Sequence, residues 1–103
     1  MPRTPLIVTT VITVNTAPTR ASATSVKCLW IRLQATIGNQ GLIYHGDKNV
    51  NNTYESMAAG AGGVNYPPTG QGPVVHAYDL SDLYFAADNI ANNDKVIVTY
   101  MLR

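Results

Sequence analysis

The chain has 103 residues and a mass of 11.1 kDa, which suits one domain with one modest hydrophobic core. Hydrophobic residues make up 46% of it, too large a share for a disordered protein, whereas charged residues make up only 13%, about half the usual share. The net charge of +1 excludes a strong electrostatic grip on nucleic acid or anionic lipid, because such binding needs several basic contacts to phosphate. A surface with so little charge suggests extensive contact with other protein.

Cysteine usage and hydropathy exclude further classes. Cys28 is the only cysteine, so neither an internal disulfide nor a cysteine zinc site is expected. No run approaches the roughly 18 apolar residues of a membrane span. The apolar N-terminal stretch contains Thr9, Thr10 and Thr13 and is followed by no small-residue cleavage site. It is therefore predicted to be a strand rather than a signal peptide.

Alternation of apolar and polar residues predicts the first strands. Residues 6–14 form the first, with mainly apolar even-numbered positions facing a core. Residues 26–37 form the second, which is predicted to bury its odd-numbered apolar side chains from Leu29 to Ile37. A tight turn at 38–41 and a third strand at 42–45 are expected to complete a hairpin with it.

The second half of the sequence predicts short strands separated by turn-rich connectors. Residues 46–72 are expected to form a long loop with a short strand near 53–57, because glycine and proline argue against much regular structure after it. A capped turn is predicted at 79–82 and turn chemistry at 88–94. Further strands are predicted at residues 74–78, 83–87 and 95–102.

These elements predict an all-β fold, since no segment has helical periodicity over three turns. We expect an antiparallel β-sandwich or barrel of jelly-roll type with about six to eight short strands. The predicted organisation is a single domain over residues 1–103, with an extended N-terminal arm at about 1–5 and the long loop at 46–72.

The ionisable residues form no catalytic pattern. Structural roles are expected for His45 and His76, because a cupin-like metal site would need three or four inward ligands with a close histidine pair. Cys28 is expected to be a packed thiol, since no motif around it supplies a base. Gly60–Gly63 lacks the lysine and helix of a phosphate loop, and residues 88–94 lack the spacing of a calcium loop. We therefore predict no enzyme activity, catalytic residue, cofactor or metal.

The aromatic residues leave three roles open. Trp30 lies on the mixed face of the second predicted strand, and Tyr54 and Tyr66 lie in the long loop, with Pro67 next to Tyr66. Such side chains bury a large rigid area while keeping a polar group, so they serve as interface anchors. They also serve as packing residues or as platforms for sugars.

Four segments of the sequence form a recognisable pattern: IGNQGLIYHGDKNV (residues 37–50), NYPPTGQGPV (65–74), DLSDLYFAAD (79–88) and NDKVIVTYM (93–101). They resemble the small all-β proteins of tailed-phage head modules, the decoration or cement class. These proteins often pair a turn-flanked G-x-I/V-Y-x-G-D strand with a Pro-Gly-rich loop, an L-x-D-L-Y strand and a closing β-strand.

The resemblance implies a non-enzymatic virion protein that binds the major capsid protein on the outer capsid surface after assembly in the host cytoplasm. It further implies a homotrimer that stabilises the head by clamping adjacent capsid subunits, with no nucleic-acid or membrane partner. The alternative is a glycan- or receptor-binding β-module of a phage fibre or spike. The residues expected at the protein interface are Pro2, Arg3 and Thr4 of the arm, together with Trp30, Tyr54, Tyr66 and Pro67.

Overall fold

Two antiparallel sheets make up the computed structural model, which describes residues 6–66 and 78–102. The larger sheet has the strand order β1-β9-β3-β6, with β7 also paired to β3, and the smaller sheet has the order β2-β8-β4-β5. The predicted all-β sandwich is confirmed. In chain order, the described strands are β1 (Ile7–Thr13), β2 (Thr19–Arg20), β3 (Lys27–Ala35), β4 (Ile43–Gly46), β5 (Ser56–Met57), β6 (Gly62–Tyr66), β7 (Tyr78–Asp79), β8 (Tyr84–Ala87) and β9 (Lys95–Leu102).

The hydrophobic core lies between the two sheets and follows the alternation of the central strands. Successive side chains of a strand point to opposite faces, so one face of β3 and one of β9 are apolar. Phe85 of β8 meets them from the smaller sheet and is fully buried. Other fully buried side chains of the core cluster are Val14, Cys28, Leu33, Ala35, Ile43, Val96 and Val98.

The hairpin predicted for β3 and β4 is wrong, because the two strands belong to different sheets. Each buries apolar residues on one face, and they meet across the core rather than side by side. Residues 36–42 carry the chain from one sheet to the other. Asp94 fixes this crossover, since its carboxylate accepts hydrogen bonds from the backbone N–H groups of Gln40 and Gly41 at 2.9 and 3.1 Å.

A bulge in β3 overturns part of the predicted face assignment. The pairing with β9 shifts register between Cys28 and Trp30, and a bulge moves a residue out of the alternation. Leu29, predicted to face the core, is therefore 41% exposed, whereas Cys28 is fully buried. The prediction is also wrong at Ile37, which lies beyond the end of β3 and is 85% exposed. The Cys28 thiol donates to the carbonyl of Val26 at 3.2 Å, and burial raises its pKa. Its predicted packed role is confirmed.

The long loop contains more regular structure than the sequence predicts. The short strand expected near 53–57 is present as β5, but β6 follows it despite two glycines. Gly60, at a φ of 75°, turns the chain back so that β6 pairs with the edge of β3, and an edge strand tolerates glycine. The arm at 1–5 and the strand predicted at 74–78 lie outside the described residues, except for Tyr78.

Helical structure in the described ranges is limited to two 3-10 turns. Leu80–Asp82 is the turn predicted from its capping pattern, and the Asp79 carboxylate caps it by accepting from the N–H of Ser81. Asn89 caps the second turn, Ile90–Asn92, in the same way, because its side-chain oxygen accepts from the N–H of Ala91. Within residues 6–66 and 78–102, no helix has the length and apolarity that crossing a bilayer requires.

Candidate functional site

The outer face of the larger sheet carries two rows of apolar side chains. Ile31, which follows Trp30 on the regular side of the bulge, is buried in the core, so Trp30 itself points outwards. The register places it opposite Met101 of β9, and Met101 opposite Ile7 of β1. Val11 and Ile97 form a second row across β1 and β9. We call these five residues the outer apolar face.

The side chains of the outer apolar face are more exposed to solvent than is usual for apolar residues. Ile7 is 56% exposed and Val11 is 54% exposed, while Trp30, Ile97 and Met101 are half-buried. None of the five is charged. A row formed by Thr9, Thr99 and Arg32 lies between the two apolar rows. Exposed apolar side chains clustered on one face mark sites of interaction in soluble proteins. The predicted anchor Trp30 therefore lies on a surface suited to contact with protein.

A polar cleft of about 420 Å³ opens between the two sheets. Its walls combine two phenol rings with three carboxylates and one ammonium group. The rings of Tyr66 and Tyr78 meet edge to face, with centroids 6.0 Å apart. The residues that give the polar cleft this character are Lys27, Asp47, Tyr66, Tyr78, Asp79 and Asp82.

Asp79 is the most heavily bonded carboxylate of the polar cleft. It accepts hydrogen bonds from the Ser25 hydroxyl, from the N–H of Val26, and from both the N–H and hydroxyl of Ser81. Lys27 adds an ion pair at 3.2 Å. The Ser25 hydrogen bond, followed by the backbone ones, holds the pKa of Asp79 well below its usual range. Asp79 therefore stabilises the folded chain through these contacts.

His45 and Tyr66 form a buried polar pair beside the cleft. The Tyr66 hydroxyl lies 2.6 Å from Nδ1 of His45, which is only 4% exposed. Burial raises the pKa of Tyr66 to about 12, so the phenol stays protonated. A protonated hydroxyl both donates and accepts, so the tautomer of the imidazole sets the direction of this hydrogen bond.

The Nε2 atom of His45 is the unsatisfied member of this pair. It has no hydrogen-bond partner among the residues that the structure describes, and the exposed carboxylate of Glu55 lies 3.6 Å away. Burial lowers the pKa of His45, and the nearby Glu55 opposes that shift. The imidazole and Glu55 line a second cavity, of about 300 Å³, together with Tyr54 and Asn65.

Tyr54 is packed against the backbone rather than freely presented. A Cβ atom at Gly46 would come within 2.5 Å of the Tyr54 ring, so glycine is needed for the ring to lie there. The Tyr54 hydroxyl donates to the Asp47 carboxylate at 2.9 Å. The structure thus places Tyr54 and Tyr66 around the cavities and Trp30 on the outer apolar face, so the three predicted anchors do not form one site.

The remaining predicted interface residues lie outside the described residues; they are Pro2, Arg3, Thr4 and Pro67. His76, for which a structural role was predicted, also lies outside them. In the part of the chain that is described, no group of three His, Cys, Asp or Glu side chains is arranged to hold a metal ion. The His45–Tyr66 pair itself was not predicted, because its members are 21 residues apart and no local pattern links them.

Comparison with known proteins adds no relative. No protein-family model matches the chain, and no significant match was found among curated proteins or among solved structures. The resemblance to phage decoration proteins therefore depends on the sequence segments alone and stays a prediction.

Proposed function

We propose that this chain is a non-enzymatic virion protein that binds the outer capsid surface and stabilises the assembled head by clamping adjacent capsid subunits. The observation that carries the proposal is the outer apolar face. Trp30 lies on this face next to the β3 bulge, and Met101 separates it from the exposed Ile7. Tryptophan in such a setting is the commonest kind of energetic anchor at protein interfaces.

The composition supports the same role. With 13% charged residues, the surface is poor in the groups that resist burial against another protein. A stable interface buries roughly 800 Å² on each partner, which a sheet face can supply. Copies that bind together multiply their effective affinity, so a homo-oligomer suits a clamp, and the homotrimer implied by the resemblance remains a prediction.

The test is binding to heads assembled without this chain. We expect the purified protein to co-sediment with such heads and to raise their disruption temperature. Trp30→Ala should weaken binding by at least about tenfold, since it removes an interface anchor. Asn51→Ala, a change of an exposed residue away from the outer apolar face, serves as the matched control. Absence of co-sedimentation by the wild-type protein would overturn the proposal.

A second candidate function is glycan binding in a phage fibre or spike, and the polar cleft favours it. Rings and carboxylates in one open cleft offer stacking surfaces and hydrogen-bond acceptors for sugar hydroxyls. On a glycan array, this function predicts binding that Tyr78→Ala, which removes a ring of the polar cleft, reduces and that Trp30→Ala, on the far side of the larger sheet, leaves unchanged. An array without signal for the wild-type chain would exclude it.

A further inference from the structure

The outer edge of β1 is left unpaired by every residue that the structure describes. β1 ends the larger sheet, and its seven residues include neither a charge nor a proline. Those are the residues with which proteins usually protect an edge strand from pairing with another chain. By contrast, the edge strands of the smaller sheet, β2 and β5, are only two residues long.

The hydrogen-bond register determines which backbone groups of β1 face outwards. The N–H of Leu102 donates to the carbonyl of Leu6 at 2.9 Å, and the N–H of Val14 donates to the carbonyl of Asp94 at 2.8 Å. Even-numbered residues of β1 therefore exchange hydrogen bonds with β9. The odd-numbered residues direct their N–H and C=O groups away from the sheet; they are Ile7, Thr9, Val11 and Thr13.

We propose that β1 pairs antiparallel with β1 of a second copy, around a two-fold axis through Thr10. In this register Ile7 faces Thr13 of the second copy, and Thr9 faces its Val11, so every outward N–H meets an outward C=O. Each copy contributes four donors and four acceptors, which gives eight hydrogen bonds across the axis. Registers centred on Thr9 or Val11 leave some of these groups unpaired.

The side chains of β1 complement themselves in the same register. Val8 faces Ile12 of the second copy, and such non-hydrogen-bonded pairs bring side chains closest together. Ile12 already packs against the core, so the contact extends an apolar surface that exists in the single chain. Thr10 meets its own counterpart. Because β1 carries no charge, the approach of two copies brings no like charges together.

The result is a dimer with one continuous sheet of ten strands, five from each copy, in which the two outer apolar faces lie side by side. An isologous contact uses the same edge on both partners, so it closes at two copies. It therefore differs from the homotrimer implied by the resemblance. The pairing needs no capsid and holds whether or not the proposed function does.

The test uses charge exchange at the axis, read as molar mass by light scattering on the full chain. We expect wild type at twice 11.1 kDa. Thr10→Lys and Thr10→Glu should each shift to the monomer mass, because like charges then face each other directly. An equimolar mixture of the two should recover the dimer mass. Thr24→Lys, the same change at an exposed position remote from β1, should remain dimeric.

A symmetric cross-link gives a second measurement. Facing residues of a non-hydrogen-bonded pair lie about 4.5 Å apart at Cα, within disulfide reach. Thr10→Cys should form a disulfide-linked dimer on oxidation, whereas Val11→Cys, whose counterpart faces Thr9, should not; Cys28 is buried in both. Circular dichroism checks that each variant is folded. A monomeric or trimeric wild type, or a Thr10→Lys variant that stays dimeric, would overturn the pairing.

Discussion

The outer apolar face and the polar cleft differ in how their side chains are satisfied. Ile7 and Val11 expose more than half of their surface and have few neighbours to lose. Asp79 and Tyr66, in the cleft, are committed to hydrogen bonds with groups of their own chain. Substitutions in the cleft should therefore act on folding, whereas substitutions on the outer apolar face should act on binding.

This contrast bears on the choice between the two candidate functions. The exposed Ile7 and Val11 contribute little to the packing of their own chain and are free to contact a partner, and covering apolar surface is the main favourable contribution to protein association. Most polar groups of the cleft have internal partners that a ligand would have to match or displace. The hydroxyl of Tyr78 in the cleft and Nε2 of His45 beside it have no hydrogen-bond partner among the described residues. The balance of these observations favours the sheet face as the principal interaction surface.

The largest effect on stability is expected for Tyr66→Phe. Removing the hydroxyl leaves the buried Nδ1 of His45 without its hydrogen-bond partner, which should lower the free energy of unfolding by about 1–3 kcal/mol. Urea denaturation measures this change, with the slope unchanged. Tyr78→Phe is the matched control, because its hydroxyl has no hydrogen-bond partner among the described residues. Equal losses in the two variants would contradict the importance of the His45 contact.

A smaller loss of stability is expected when the pH is lowered. Burial lowers the pKa of His45 in the folded chain below its unfolded value of about 6.5. The unfolded chain then binds the extra proton first, so stability is complete above pH 6.5 and falls as the pH drops below it. The neighbouring Glu55 reduces the effect, and neutral Tyr66 does not oppose it.

Urea midpoints measured between about pH 7 and 5 should show this loss, because the pKa of Asp79 lies too low to titrate in that range. His45→Asn keeps an acceptor for Tyr66 but cannot gain the charge, so its midpoint should vary less with pH. An equally steep dependence in His45→Asn would assign the effect to another group.

The sequence predicts buried faces better than it predicts partners. Alternation along the strand predicted at 95–102 places Val96 and Val98 on one face, and both are fully buried. Alternation carries no information on which strand lies alongside, however, so the hairpin of β3 with β4 was wrong. The bulge at Leu29 was equally invisible, because it arises from the pairing of β3 with β9.

The candidate surfaces show the same limit. Trp30 was predicted as an anchor from its residue type and its place on the mixed face, both of which are local properties. The His45–Tyr66 pair joins strands of two different sheets. Only the packing of the sheets brings the imidazole and the phenol together, so no spacing in the sequence could have predicted their contact.

The smallest effect on stability is expected on the outer apolar face. Val11→Thr keeps the shape and the β-branched side chain of an exposed residue, so the free energy of unfolding should change by less than about 0.5 kcal/mol. The same change at the fully buried Val98 places a hydroxyl in the core and should cost about 1–3 kcal/mol. Urea denaturation compares the two variants. If Val11→Thr proved as destabilising as Val98→Thr, the outer apolar face would be part of the core's packing and no longer free for a partner.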